Sequence, residues 1–192
     1  MSTTASPYGL RPIGMVGHRP NSQGFREYAM TTNSATAIYT GDVIQLTAGQ
    51  PAAMAATPTT SSAGVIGVCV GVTYTDPTLK QTMFAQSLPA NAITNGYTNV
   101  KIRVVDDPDA TFMLQADGSV TAASIGRNAP LANFGGSATN GTSTVRLTSG
   151  SIATTNTLAV RIVDLVVPGE AYTDCVVKLN FGVHTYYQST GA

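Results

Sequence analysis

Apolar residues in this chain fall into short β-branched runs separated by Gly, Pro, Asn and Asp, the pattern of strands between turns. Residues 24–30 (GFREYAM) alternate loosely, and residues 35–47 (ATAIYTGDVIQLT) predict a strand, a Thr-Gly-Asp turn and a second strand. Residues 64–75 (GVIGVCVGVTYT) are continuously apolar, as in a buried strand. Their glycines 64, 67 and 71 predict bends or close backbone approach. Asp76-Pro77 ends that run. Further strands are expected over 78–87, 100–107, 111–117, 143–149, 158–167 and 174–187, the last kinked at Gly182. Asp117-Gly118 has the composition of a hairpin turn, and Ser119 opens the best candidate for a short helix. Residues 48–63, rich in Pro, Ala and Thr, read as a loop, and glycines 135, 136 and 141 punctuate a second one. Roughly nine or ten short strands with one or two helical turns predict an all-β domain, either a single β-barrel or β-tulip-like fold or a β-sandwich.

The first 24 residues do not fit that pattern. Three Pro and four Gly lie between Pro7 and Gly24, too dense for a regular element. Tyr8, Leu10, Ile13, Met15 and Val16 nevertheless make the segment apolar. It is expected to be an extended arm (1–24) preceding the β domain (25–192), packed on that domain or on a neighbouring subunit.

Composition narrows the class of function. Only 10% of the 192 residues are charged, with ten cations against ten anions, where a typical soluble domain carries about 25%. A neutral, charge-poor chain has no basic footprint for nucleic acid. No apolar run approaches the ~18 residues that span a bilayer as a helix. Ser and Thr supply 42 positions, seven of the ten cations are Arg, and there are eight Tyr but only two Glu. Depletion of Lys and Glu with enrichment in Arg and Tyr is the composition of protein interfaces. Neutral hydroxyl surfaces also hydrogen-bond a neighbour without the desolvation cost of charges.

Candidate chemistry is sparse. His18 and His184 are the only histidines, and neither stands near Cys69 or Cys175 in a zinc-like spacing. Both cysteines lie in strand-like runs and read as buried free thiols. The chain opens without the basic and apolar regions of a signal peptide, so synthesis and retention in a reducing cytoplasm are expected. Asp106-Asp107-Pro108-Asp109 is the densest acidic group. The alternating oxygens and late Glu of a calcium loop are missing, so it reads as a turn with solvated carboxylates. There is no Gly-x-Ser-x-Gly elbow and no phosphate-cradling loop. No enzymatic activity, cofactor or metal is expected.

Five segments carry a family resemblance: YGLRPIG (8–14), YTGDVIQL (39–46), VIGVCVGVTYTDP (65–77), VVDDPDATFMLQADGSV (104–120) and SIATTNTLAVRIVDLV (151–166). Over about residues 7–187 the chain resembles capsid decoration, or cement, proteins of tailed phages of the podovirus type. The resemblance implies a virion structural protein, made in a host bacterium and bound to the outer surface of an icosahedral head. Its partner would be the major capsid protein, and it would itself form a homo-oligomer, a trimer more readily than a dimer, without contact to nucleic acid or membrane. By the same resemblance the arm would touch the capsid through Tyr8, Leu10, Arg11, His18 and Arg19, and its removal would leave the β domain folded. The alternatives are another virion component (tail tube, head completion, fibre base) or a carbohydrate-binding, adhesive β domain.

Overall fold

The computed structural model describes residues 3–17, 19, 24–59 and 64–188. In chain order the strands are β1 (Arg11–Met15), β2 (Arg26–Ala29), β3 (Ile38–Tyr39), β4 (Val43–Thr47), β5 (Gln50–Ala53) and β6 (Val65–Thr75). They continue with β7 (Thr82–Ala85), β8 (Ser87–Leu88), β9 (Thr98–Val105), β10 (Ala110–Gln115), β11 (Asn128–Ala129) and β12 (Leu131–Ala132). The last are β13 (Gly136–Ser137), β14 (Thr142–Ser143), β15 (Arg146–Leu147), β16 (Val160–Leu165) and β17 (Asp174–Leu179). Single 3-10 turns at Ala122–Ser124, Ser149–Ser151 and Thr185–Tyr187 are the only helical elements among the described residues. The fold is all-β, as the alternation predicts, and among the described residues no helix is long and apolar enough to cross a membrane.

Two antiparallel sheets dominate. One has the order β1-β10-β17-β16-β11; the other runs β2-β9-β6-β4-β5, with β7 also paired to β6. They pack as a sandwich. Phe112, Leu114, Ile162, Val177 and Leu179 of the first sheet share a core with Val43, Val65, Val68 and Val105 of the second. Burial of such side chains contributes about 1.5–3 kcal/mol each. The second sheet also has a core on its other face. There Ile44, Ile66, Cys69, Val72 and Ile102 pack with Ile38 and Leu88, which belong to the β3–β8 ribbon. A sheet covered on both faces explains why β6 reads as an unbroken apolar run. Its glycines permit close approach: Gly67 lies against the Val105 carbonyl and Gly71 beneath the Phe84 ring.

The second sheet curls towards a barrel without closing. Its edge strands β2 and β5 approach each other, but the seam is bridged by the Gln50 side chain, whose Oε1 accepts from the Thr31 amide at 2.7 Å. The barrel alternative is thereby set aside in favour of a sandwich with one curled sheet.

The arm segment packs on its own chain. β1 pairs with β10, and Leu10 is buried in the sandwich core. The Leu10 amide donates to the Gly41 carbonyl at 3.0 Å. Gly9 adopts φ +72, and a Cβ there would stand 2.6 Å from the Ser143 Cβ. The segment must therefore be bare at this crossing. These contacts tie the arm to the β domain, so its removal is expected to destabilise that domain.

Other differences have local causes. The 48–63 segment opens with β5, a hairpin partner of β4 through Ala48 (φ 50) and Gly49 (φ 75). Successive left-handed residues make the turn that suits a two-residue hairpin. Pro51 is tolerated because β5 is an edge strand. Asp117-Gly118 makes no hairpin, because the Asp117 carboxylate instead accepts from the Ser149 amide and hydroxyl at 2.8 and 2.7 Å. The last strand stops at Leu179, where the Asn180 amide group turns to the carbonyls of Asn156 and Leu158. The segment 78–87 is split into β7 and β8, which pair with β6 and β3.

Candidate functional site: an aromatic and arginine face

Of the residues expected to contact a capsid, His18 lies outside the described residues, and the others do not form one patch. Leu10 is core and cannot fill a pocket on a neighbour in this fold. The Tyr8 hydroxyl donates to Asp174 Oδ1 at 2.8 Å. Burial, then that hydrogen bond, raises its pKa far above the ordinary phenol value. Arg11 lies over the Tyr8 ring, 4.4 Å from its centroid. Arg19 is drawn to Asp109 at 2.6 Å.

The acidic turn between β9 and β10 is a staple rather than a solvated loop. Asp106 Oδ2 accepts from the hydroxyls of Tyr28 and Tyr186, both at 2.9 Å, and pairs with Arg26 at 3.2 Å. Asp109 binds Lys178 at 2.7 Å and accepts from the Tyr187 hydroxyl at 3.1 Å, besides holding Arg19. The hydrogen bond from Lys178 leads in holding its pKa below the usual carboxylate range. These carboxylates are occupied by cations and phenols from β2, β17 and the 3-10 turn after it. Among the described residues, no group of three His, Cys, Asp or Glu is arranged to hold a metal ion.

Two thiols and one imidazole are buried outside these networks. Cys69 and Cys175 are free and sit in different cores. His184 is fully buried, its Nδ1 accepting from the Tyr186 amide at 3.2 Å. Burial pushes its pKa down. In the two clefts described below, neither thiol nor the imidazole is among the lining residues.

The open surface is more distinctive. Phe84, Thr73 and Lys101 are cross-strand neighbours on one face of the curled sheet, and the Arg103–Glu27 pair lies one row along. Val105, two residues beyond Arg103, enters the sandwich core from that face. Arg103 and Phe84 stand where the first sheet no longer covers it. Phe84 is 60% exposed and Phe25 47%. The Arg103 guanidinium lies between them, 4.6 Å from the Phe84 centroid and 4.9 Å from that of Phe25. Its Nε donates to Glu27 at 3.1 Å, and Lys101 binds the other Glu27 oxygen at 3.0 Å. Pro12, Phe25, Val70, Phe84, Arg103 and Val105 enclose a cleft of about 260 Å³.

No protein-family model, curated protein or solved structure matches this chain. Function therefore rests on the geometry and on the resemblance given above. The Phe25–Arg103–Phe84 face was not foreseen from sequence. Its signal is there only in retrospect, as phenylalanines at exposed positions of FREYAM and TMFAQS flanking a cationic strand. A second open feature is a shallow groove of about 650 Å³ on the outer face of the first sheet, between β1 and the β16–β17 pair. Ile13, Val16 and Val163 are its exposed apolar walls.

Proposed function

We propose that this protein is a virion structural component, a capsid decoration protein that binds the outer surface of an icosahedral head and stabilises it against the pressure of packaged DNA. The observation that carries the reading is the Phe25–Arg103–Phe84 face: exposed aromatic rings around an arginine, on a charge-poor β scaffold. Aromatic residues and Arg are enriched at protein interfaces, and a desolvated Arg is among the residues that dominate binding energy. The family resemblance supports the same reading and supplies the partner, the major capsid protein.

The mechanism is mechanical. A protein that binds the assembled shell and not its free subunits stabilises the shell by linkage. Many copies, or a trimer engaging several sites at once, multiply a modest interface. The test adds the purified protein to expanded, undecorated heads and measures binding and shell melting temperature. Saturable binding with a raised melting temperature is expected. Absence of binding would overturn the reading.

A further inference from the structure

We propose that the cleft between Phe25 and Phe84 receives a protein segment that presents a carboxylate beside an apolar side chain, with Arg103 as the carboxylate's receptor. The inference rests on the proposed function for the identity of the partner, the head surface, and names the chemistry by which that partner is held.

Three observations lead to it. First, Arg103 is oriented before any partner arrives. Glu27 takes its Nε, and its Cζ lies over both the Phe25 and the Phe84 ring. Terminal nitrogens of a guanidinium fixed in this way form a planar fork that matches a carboxylate with two parallel hydrogen bonds. Little side-chain entropy is left to lose on binding.

Second, the charge of the patch favours an anion. Lys101 and Arg103 share the single carboxylate of Glu27, so the cluster carries one uncompensated positive charge. A cationic partner is repelled, and a neutral one gains no charge-assisted pair from the fork.

Third, the walls are apolar and the site is built around its rings. Pro12, Val70 and Val105 line the cleft with the two phenylalanines. Gly71 makes room for Phe84: a Cβ at that position would lie 2.7 Å from the ring, and its φ of +152 suits glycine. A cleft of about 260 Å³ admits one aliphatic or aromatic side chain, not a folded element. An acidic residue next to an apolar one satisfies both parts. A carboxylate alone would leave the rings wet, and an apolar residue alone would leave the fork unpaired.

The experiment uses the whole protein and three variants, Arg103→Lys, Arg103→Gln and Phe84→Ala. Phe84 and Arg103 reach the surface, so folding should be kept, and unchanged thermal unfolding is the control. Two probes are used: undecorated heads, and a random-peptide library selected on the immobilised protein. Wild type should bind heads and enrich peptides with Asp or Glu adjacent to Leu, Ile or Phe. Arg103→Gln should weaken head binding at least tenfold and abolish the acidic preference while keeping the apolar one. Arg103→Lys should fail to restore it, because a point charge lacks the fork. Phe84→Ala should lose the apolar preference. Head binding by wild type with no effect of any variant would overturn this inference and leave the decoration reading standing. No head binding by wild type would overturn both. Enrichment of peptides without acidic residues, or competition by single-stranded oligonucleotides stacking on the rings, would assign the cleft to another ligand and overturn the inference.

Discussion

The hydroxyl of Tyr8 donates to Asp174 at 2.8 Å, joining the segment before the first strand to the start of the last one, 166 residues away. Together with buried Leu10, it makes the N-terminal segment part of the sandwich.

Removal of residues 1–16 should therefore abolish cooperative unfolding. Tyr8→Phe should cost about 1 kcal/mol, the net value of one hydrogen bond. Gly9→Ala should cost more, since it combines a left-handed backbone with contact at Ser143. Urea melts measure all three. A truncated protein melting like wild type would show that the segment is dispensable.

Asp42, almost fully buried, predicts an unusual pH dependence. Burial raises its pKa to about 6, although the Ser143 hydroxyl and the Tyr39 amide pull the other way. A carboxyl raised above its unfolded value contributes stability that is complete below about pH 4 and is lost as pH rises through 6. The amount is on the order of 3 kcal/mol. His184 has the opposite sign: its depressed pKa contributes stability present above its ordinary value and lost as pH falls. In wild type the two oppose each other in mildly acidic solution. Asp42→Asn should remove the first, raise stability at pH 8 and expose a steady loss on acidification. Urea midpoints between pH 4 and 8 would decide. Unchanged profiles in the variant would refute the assignment.

Asp109 is the hub of its staple, so Asp109→Asn releases Lys178 and Arg19 together. The network is partly exposed, and the expected loss is about 1–2 kcal/mol, smaller in high salt. Double-mutant cycles with Lys178→Met would measure the coupling. A wild-type salt dependence in Asp109→Asn would count against the staple.

The two thiols should be inert in the native state. Burial pushes both Cys69 and Cys175 up to about 12, and the thiolate is the reactive form. A thiol-specific reagent at pH 8 should label neither residue until denaturant is added. Rapid native labelling of one would show that its strand opens.

Legibility followed burial. The β6 run is legible because both faces are covered over Val65–Val72, so every position there is apolar or glycine. β5 was hidden because Gln-Pro-Ala-Ala carries no strand propensity; its pairing is decided by the turn at Ala48-Gly49 and by the edge position of Pro51. The sequence predicts a final strand running to Tyr187 because VKLNFGVHTYY keeps apolar residues beyond Leu179, while the break is made by Asn180 reaching across to another loop. The acidic turn could be located but not its partners, since Tyr28, Tyr186 and Lys178 come from distant parts of the chain. The Phe25–Arg103–Phe84 face depends on register between β9, β6 and β7, and register is not written in any single strand.

The position of β10 between β1 and β17 sets an order of events during synthesis. The curled sheet draws all its strands from residues 26–105 and can assemble as soon as they have left the ribosome. The other large sheet cannot, because its middle strand, β17, follows all of its other strands in the chain. Until then β10 has only β1 as a sheet neighbour, and half of the sandwich core lies open. Such long-range pairing is slow and exposes apolar strands meanwhile. The sparing use of charge on the mature surface thus leaves the nascent chain with little to keep it apart from its siblings, and chaperones should be needed most in the interval before Leu179 emerges.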